Sequence, residues 1–161
     1  MLALALHPIC WIFSFLALAI NCYYWIKVKE HFVYGNVTPG VIVSLDPMLI
    51  AVLTNLSKGV GDYHVIKIIE QRFSTVMEKP PFVGATFPAV ALYQQSEDES
   101  LPYWEDFDPR PIEFATADQS AIKNILSRME KTDWKELKLG LRGVPRPFKP
   151  GLYHVQEFVN L

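Results

Sequence analysis

A chain of 161 residues with 15 Lys and Arg against 17 Asp and Glu has a formal charge of −2, which argues against the strongly basic balance of a nucleic-acid-binding domain. Hydrophobic residues make up 50% of it, and residues 30–161 are one domain's worth of chain, large enough for a single hydrophobic core. Both cysteines, Cys10 and Cys22, fall near the N-terminus, so the rest of the chain can form neither a disulfide scaffold nor a cysteine zinc site.

Taken in chain order, the first segment is the most specific. No Lys, Arg, Asp or Glu precedes Lys27, and residues 9–26 are mostly Ile, Leu, Phe, Ala and Trp. As a helix they extend ~27 Å, close to the ~30 Å hydrocarbon core of a bilayer. Tyr23, Tyr24 and Trp25 close the run, and Lys27 and Lys29 come directly after it, an aromatic and basic boundary suited to the headgroup layer. A single-pass transmembrane anchor over residues 1–26 is therefore expected. A cleaved signal peptide, with Ala17-Leu18-Ala19 as its small-residue site, would need a basic start that is missing. A buried core helix would be shorter and would show a polar face. The lysines lie only on the C-terminal side, which favours a cytoplasmic location for the soluble domain beyond them. Pro8 fits the first turn of the helix. His7 and Asn21 are read as interfacial side chains, Asn21 alternatively as an interhelical hydrogen-bonding group. Cys10 and Cys22 would be ~18 Å apart on one helix, beyond the ~6 Å a disulfide tolerates.

After a juxtamembrane hinge at residues 27–31, the pattern of residues 32–161 turns to β. Phe32, Val33 and Tyr34 lead into a turn at Gly35 and Asn36, and Thr38, Pro39 and Gly40 punctuate again. Strands are expected at residues 41–45, 48–53, 63–69, 73–77 and within 85–94, with turns between them. Strands this short and evenly spaced predict a small barrel or sandwich. Residues 95–100 read as an acidic loop, and 103–114 mix aromatics, acids and prolines. A helix should begin near Asp118, capped by it or by Thr116, with Ile122, Ile125, Leu126 and Met129 on one face. A second should open at a capping box of Asp133 and Glu136, with Trp134, Leu137 and Leu141 on one side and Gly140 or Gly143 as its stop. Pro145, Pro147 and Pro150 force an extended tail before a last strand over 153–159. The expected fold is α+β and β-rich: a partly open SH3- or OB-like barrel with one or two packed helices, preceded by a single transmembrane helix.

Catalytic signatures are few. No nucleophile elbow, P-loop, H-E-x-x-H or dinucleotide fingerprint occurs, and Gly59-Val60-Gly61 precedes a strand where a nucleotide loop needs a helix. His7, His31, His64 and His154 have no metal-ligand spacing. The sequons at Asn36 and Asn55 matter only for a lumenal domain. Charge, however, is unevenly spread. Residues 97–118 carry eight acids and one base, whereas 123–149 carry eight bases and three acids, marking either opposite faces or an internal pairing. In the acidic segment 97–108, Glu105, Asp106 and Asp108 could offer oxygen ligands to a divalent cation, although a solvated loop is the simpler reading. Tyr103, Trp104 and Phe107 could instead make an acidic-aromatic docking segment for a protein partner. Arg142, Arg146 and Lys149 could touch anionic lipid headgroups. No cofactor is implied.

Three segments resemble one known family. Tyr34-Gly35-Asn36-Val37-Thr38-Pro39-Gly40-Val41-Ile42-Val43, then residues 49–56 and 65–69, are similar to an uncharacterised bacterial domain family with no assigned activity, over residues 32–70. The resemblance implies a bacterial origin and a compact β-rich domain, and transfers no functional residue. The resulting expectation is a non-catalytic, membrane-tethered interaction or assembly module, an accessory subunit with a protein partner or a second copy of itself. The alternatives are a divalent-cation-dependent enzyme or enzyme accessory using segment 97–108, and a regulator that binds anionic lipid.

Overall fold

A computed structural model describes residues 8–59, 61–95 and 98–155. The chain divides into two compact units, Met1–Tyr34 and Gly35–Leu161. The first is one helix, α1 (Pro8–Tyr34). Its stretch Cys10–Lys29 is long and apolar enough to cross a membrane, and none of it is buried. Trp11 is 75% and Phe15 73% exposed, and Leu16, Leu18 and Ile20 are exposed as well. A core helix hides one stripe; this one hides none over Cys10–Lys29. The helix runs on through residues 27–31, expected as a hinge, and through Phe32, Val33 and Tyr34, expected to be the start of the β pattern leading into a turn. Nothing between Lys27 and Tyr34 breaks a helix, and Gly35 is the first residue that favours leaving one. His7 lies outside the described residues.

The second unit is α+β and β-rich. Its strands are β1 (Asn36–Leu45), β2 (Met48–Asn55), β3 (His64–Glu70), β4 (Thr86–Gln94), β5 (Asp106–Pro111) and β6 (Gly151–His154), joined in one antiparallel sheet of order β5-β4-β1-β2-β3-β6. In a flat sheet β3 and β5 would stand ~19 Å apart, four spacings of ~4.8 Å. Yet Lys67 Nζ on β3 donates to Asp106 Oδ2 and to the Phe107 carbonyl on β5, both at 2.7 Å. The sheet is therefore curled into a half-barrel, open between β5 and β6. A slip in the β1–β2 register between Ile42 and Ser44 helps bend it. Gly40 faces Phe87 across β1 and β4. A Cβ there would lie 2.5 Å from the ring, so the missing side chain lets Phe87 lie across the strand.

The strands alternate between two cores. Ile42, Ile50, Val52, Leu56, Val65, Phe87 and Phe107 fill the barrel interior. Leu49, Ala51, Leu53, Ile66 and Ile68 face outward under Leu137 and Val144, which belong to α3 (Lys131–Gly143) and the residue after it. A shorter helix, α2 (Gln119–Arg128), packs on β4 and buries Ile122. Asp118 caps it, its carboxylate accepting from the Ser120 and Ala121 N–H groups.

Several boundaries differ from expectation. Residues 73–77 form no strand, because Met77 and Glu78 adopt positive φ (51° and 63°) and turn the chain back, leaving a single bridge from Val76 to Lys79. Phe73 and Val76 are still buried in the interior core. Thr38, Pro39 and Gly40 do not interrupt β1, since Pro39 sits opposite Pro88, a point of the ladder that needs no N–H from either. The second capping pair is Glu130 and Asp133, whose Oδ2 accepts the Glu130 N–H at 3.1 Å, so α3 starts earlier and contains Gly140. In the last strand, residues 156–159 lie outside the described residues, as do Val60 and Glu97.

Candidate functional site

A cleft of about 600 Å³ opens at the end of the barrel where β1 starts and β2 stops, within the size range of small-ligand sites. Its floor is held by a short relay. Asn36 Nδ2 donates to Tyr93 Oη at 3.1 Å, and Tyr93 Oη lies 2.9 Å from Thr54 Oγ1. With Tyr93 accepting from Asn36, its own proton is available to the buried Thr54. One lip is the β2–β3 loop. Asn55 Oδ1 accepts from the Ser57 and Tyr63 N–H groups at 2.9 and 3.0 Å, and Ser57 Oγ accepts from the Gly59 N–H at 3.1 Å. The Asn55 amide oxygen is thus committed to shaping the loop. His64 from β3 also lines the cleft.

The opposite lip comes from α3, which contributes Asp133 and Glu136. Asp133 is engaged in capping. The half-buried Glu136 makes no hydrogen bond or ion pair among the described residues. A rigid hydroxyl-and-amide floor beside a carboxylate suits a ligand or partner side chain that donates hydrogen bonds, such as an amine. Sequence reading did not find this cleft, because its residues are spread over four strands and a helix.

The acidic segment is arranged differently from a metal centre. Asp106 is paired with Lys67 at 2.7 Å and Asp108 with Arg110 at 2.8 Å, while Glu105 is exposed. Among the described residues no group of three His, Cys, Asp or Glu is gathered for a metal. Phe107 is fully buried in the interior core, so it is not available as an exposed docking residue. Tyr103 and Trp104 are half-buried, packing on Tyr63 (4.6 Å between ring centroids) and Tyr93 (6.0 Å). Asp98 accepts from the Ser100 hydroxyl and N–H, and these bonds hold its pKa below the ordinary 3.8. A hollow bounded by Gln94, Glu105, Asp106 and Leu152 marks the open seam between β5 and β6. Arg142, Arg146 and Lys149 are exposed, with the Arg146 guanidinium 5.3 Å from the Phe148 ring centroid.

A family model described as "Protein of unknown function (DUF3239)" matches residues 25–144. The resemblance read over residues 32–70 is part of that longer match. A crystal structure from Corynebacterium diphtheriae, provisionally named as a membrane protein, is similar in fold with a TM-score of 0.55 and 23% identity. The alignment covers 74% of this chain and 99% of that one. No curated protein matches the chain.

Proposed function

The chain belongs to the DUF3239 family, and we propose that it is a membrane-tethered interaction or assembly module, a non-catalytic accessory subunit of a membrane complex. In this reading residues 1–26 are a single-pass anchor, 27–31 extend it past the headgroups, and 32–161 form a soluble domain on the cytoplasmic side. The observation that carries it is α1: a helix apolar on every side with no buried residue in its span. Leaving such a surface in water is costly, at about 25 cal/mol per Å² of apolar area, so lipid or another helix must cover it. The provisional name of the Corynebacterium diphtheriae protein agrees with a membrane setting. The module reading assigns the polar cleft to a partner's hydrogen-bond donors, with Glu136 as its free acceptor.

The test is purification of the tagged full-length chain from native membranes in mild detergent, with crosslinking and mass spectrometry. Stoichiometric partners or a defined homo-oligomer, crosslinked near the cleft, support the module. A chain that emerges alone and monomeric removes the reading.

A further inference from the structure

The structure separates the two charges of α3. Lys131, Lys135, Lys138 and Arg142 recur at i, i+4, i+7 and i+11, which places them within an arc of about 60° at 3.6 residues per turn. All four are exposed. Leu137 and Gly140 are buried on the other side, where a Cβ on Gly140 would come 2.8 Å from Ile66. Asp133 and Glu136 turn to the cleft. Two further exposed bases, Arg146 and Lys149, lie just beyond the helix. None of these six cations has a carboxylate partner among the described residues. The acids of residues 105–108 lie on or beside β5, the first strand of the sheet order, with two of them paired to Lys67 and Arg110. The carboxylates of residues 105–108 therefore do not neutralise the basic helix.

We infer that the outer face of α3, continued by Arg146 and Lys149, is a docking surface for anionic lipid headgroups. Like charges one and two turns apart repel along a helix, and a sheet of negative headgroups relieves that repulsion while attracting each base. The inference rests on the anchor reading of α1. Only Gly35 separates α1 from β1, so a domain tethered this way cannot diffuse from the surface its anchor crosses, and a weak patch is enough to orient it. Exposed ammonium and guanidinium groups on one helix face match a phosphate layer in sign, without needing a specific headgroup.

The experiment is amine acylation of the full-length chain in lipid nanodiscs, read per lysine by mass spectrometry. One set of discs contains phosphatidylcholine alone and the other an added fraction of phosphatidylglycerol. Lys131, Lys135, Lys138 and Lys149 should lose about threefold in reactivity in the anionic discs and regain it in high salt. The exposed Lys79 and Lys123 serve as internal controls and should stay unchanged. Equal reactivity in the two discs overturns the inference. So does protection that is present in neutral discs and insensitive to salt, since that is a contact with protein. A chain that enters neither disc overturns the anchor reading itself, an outcome visible before any lysine is compared.

Discussion

Lys67 shows how a single side chain depends on the shape of a whole sheet. In β3 it stands between Ile66 and Ile68, a cation within an apolar run. In the structure it points into the barrel with 18% of its side chain exposed, its ammonium held by Asp106 and the Phe107 carbonyl. The curl that brings β5 to β3 is a long-range fact, so no local pattern reveals the pair. Replacing Lys67 by Met would leave the partly buried Asp106 carboxylate without its cation, and should cost about 1–3 kcal/mol in urea unfolding of residues 35–161. Arg110→Ala breaks a pair whose Arg is 48% exposed and should cost less than ~0.5 kcal/mol. Equal effects would show that Lys67 does not hold the seam. Gly40 is a second case. Gly40→Ala sets a Cβ against the Phe87 ring and should lose about 2 kcal/mol or more, by overpacking. Gly143→Ala meets nothing within 4 Å and should be neutral or gain up to ~1 kcal/mol. Adding Phe87→Leu to Gly40→Ala should recover part of the loss, and a double-mutant cycle measures how much.

The elements divide by how local their causes are. β2 and β3 were legible because their apolar runs are continuous and bounded by turns, and the structure explains the continuity: interior residues on one face, α3 on the other. α2 was legible from Asp118 and from the spacing of Ile122, Ile125 and Leu126. Asp118→Ala removes both cap hydrogen bonds and should cost about 1 kcal/mol, seen as a lower midpoint of thermal unfolding. No change would mean that packing on β4 alone fixes the helix start. β5 was not legible as a strand. Pro109 and Pro111 argue against one, and only its position at the edge of the sheet makes prolines tolerable. The cleft was hidden because Asn36, Thr54, Tyr93 and Glu136 are far apart in sequence and meet only once β4, β1 and β2 pair and α3 packs on the sheet.

For the whole molecule, the decisive contrast is between an α+β domain that buries two cores and a helix that buries none of its Cys10–Lys29 stretch. The domain buries two cores and settles its acidic edge with Lys67 and Arg110. α1 leaves Trp11, Phe15, Leu18 and Ile20 uncovered. That contrast makes orientation measurable, because the chain's two cysteines both lie on α1 and the domain supplies no background thiol. In sealed vesicles, Cys10 and Cys22 should resist a membrane-impermeant maleimide until detergent or denaturant is added, as expected for side chains within the hydrocarbon layer. A thiol introduced by Ser127→Cys, at an exposed position of α2, reports on the domain. With Lys27 and Lys29 on the cytoplasmic side, it should label in inside-out vesicles and stay protected in right-side-out ones. The opposite pattern would reverse the orientation and make the sequons at Asn36 and Asn55 relevant again. Labelling of Cys22 in intact vesicles, at the rate of Ser127→Cys, would instead mean that α1 lies outside the bilayer, and another protein surface would then have to cover it.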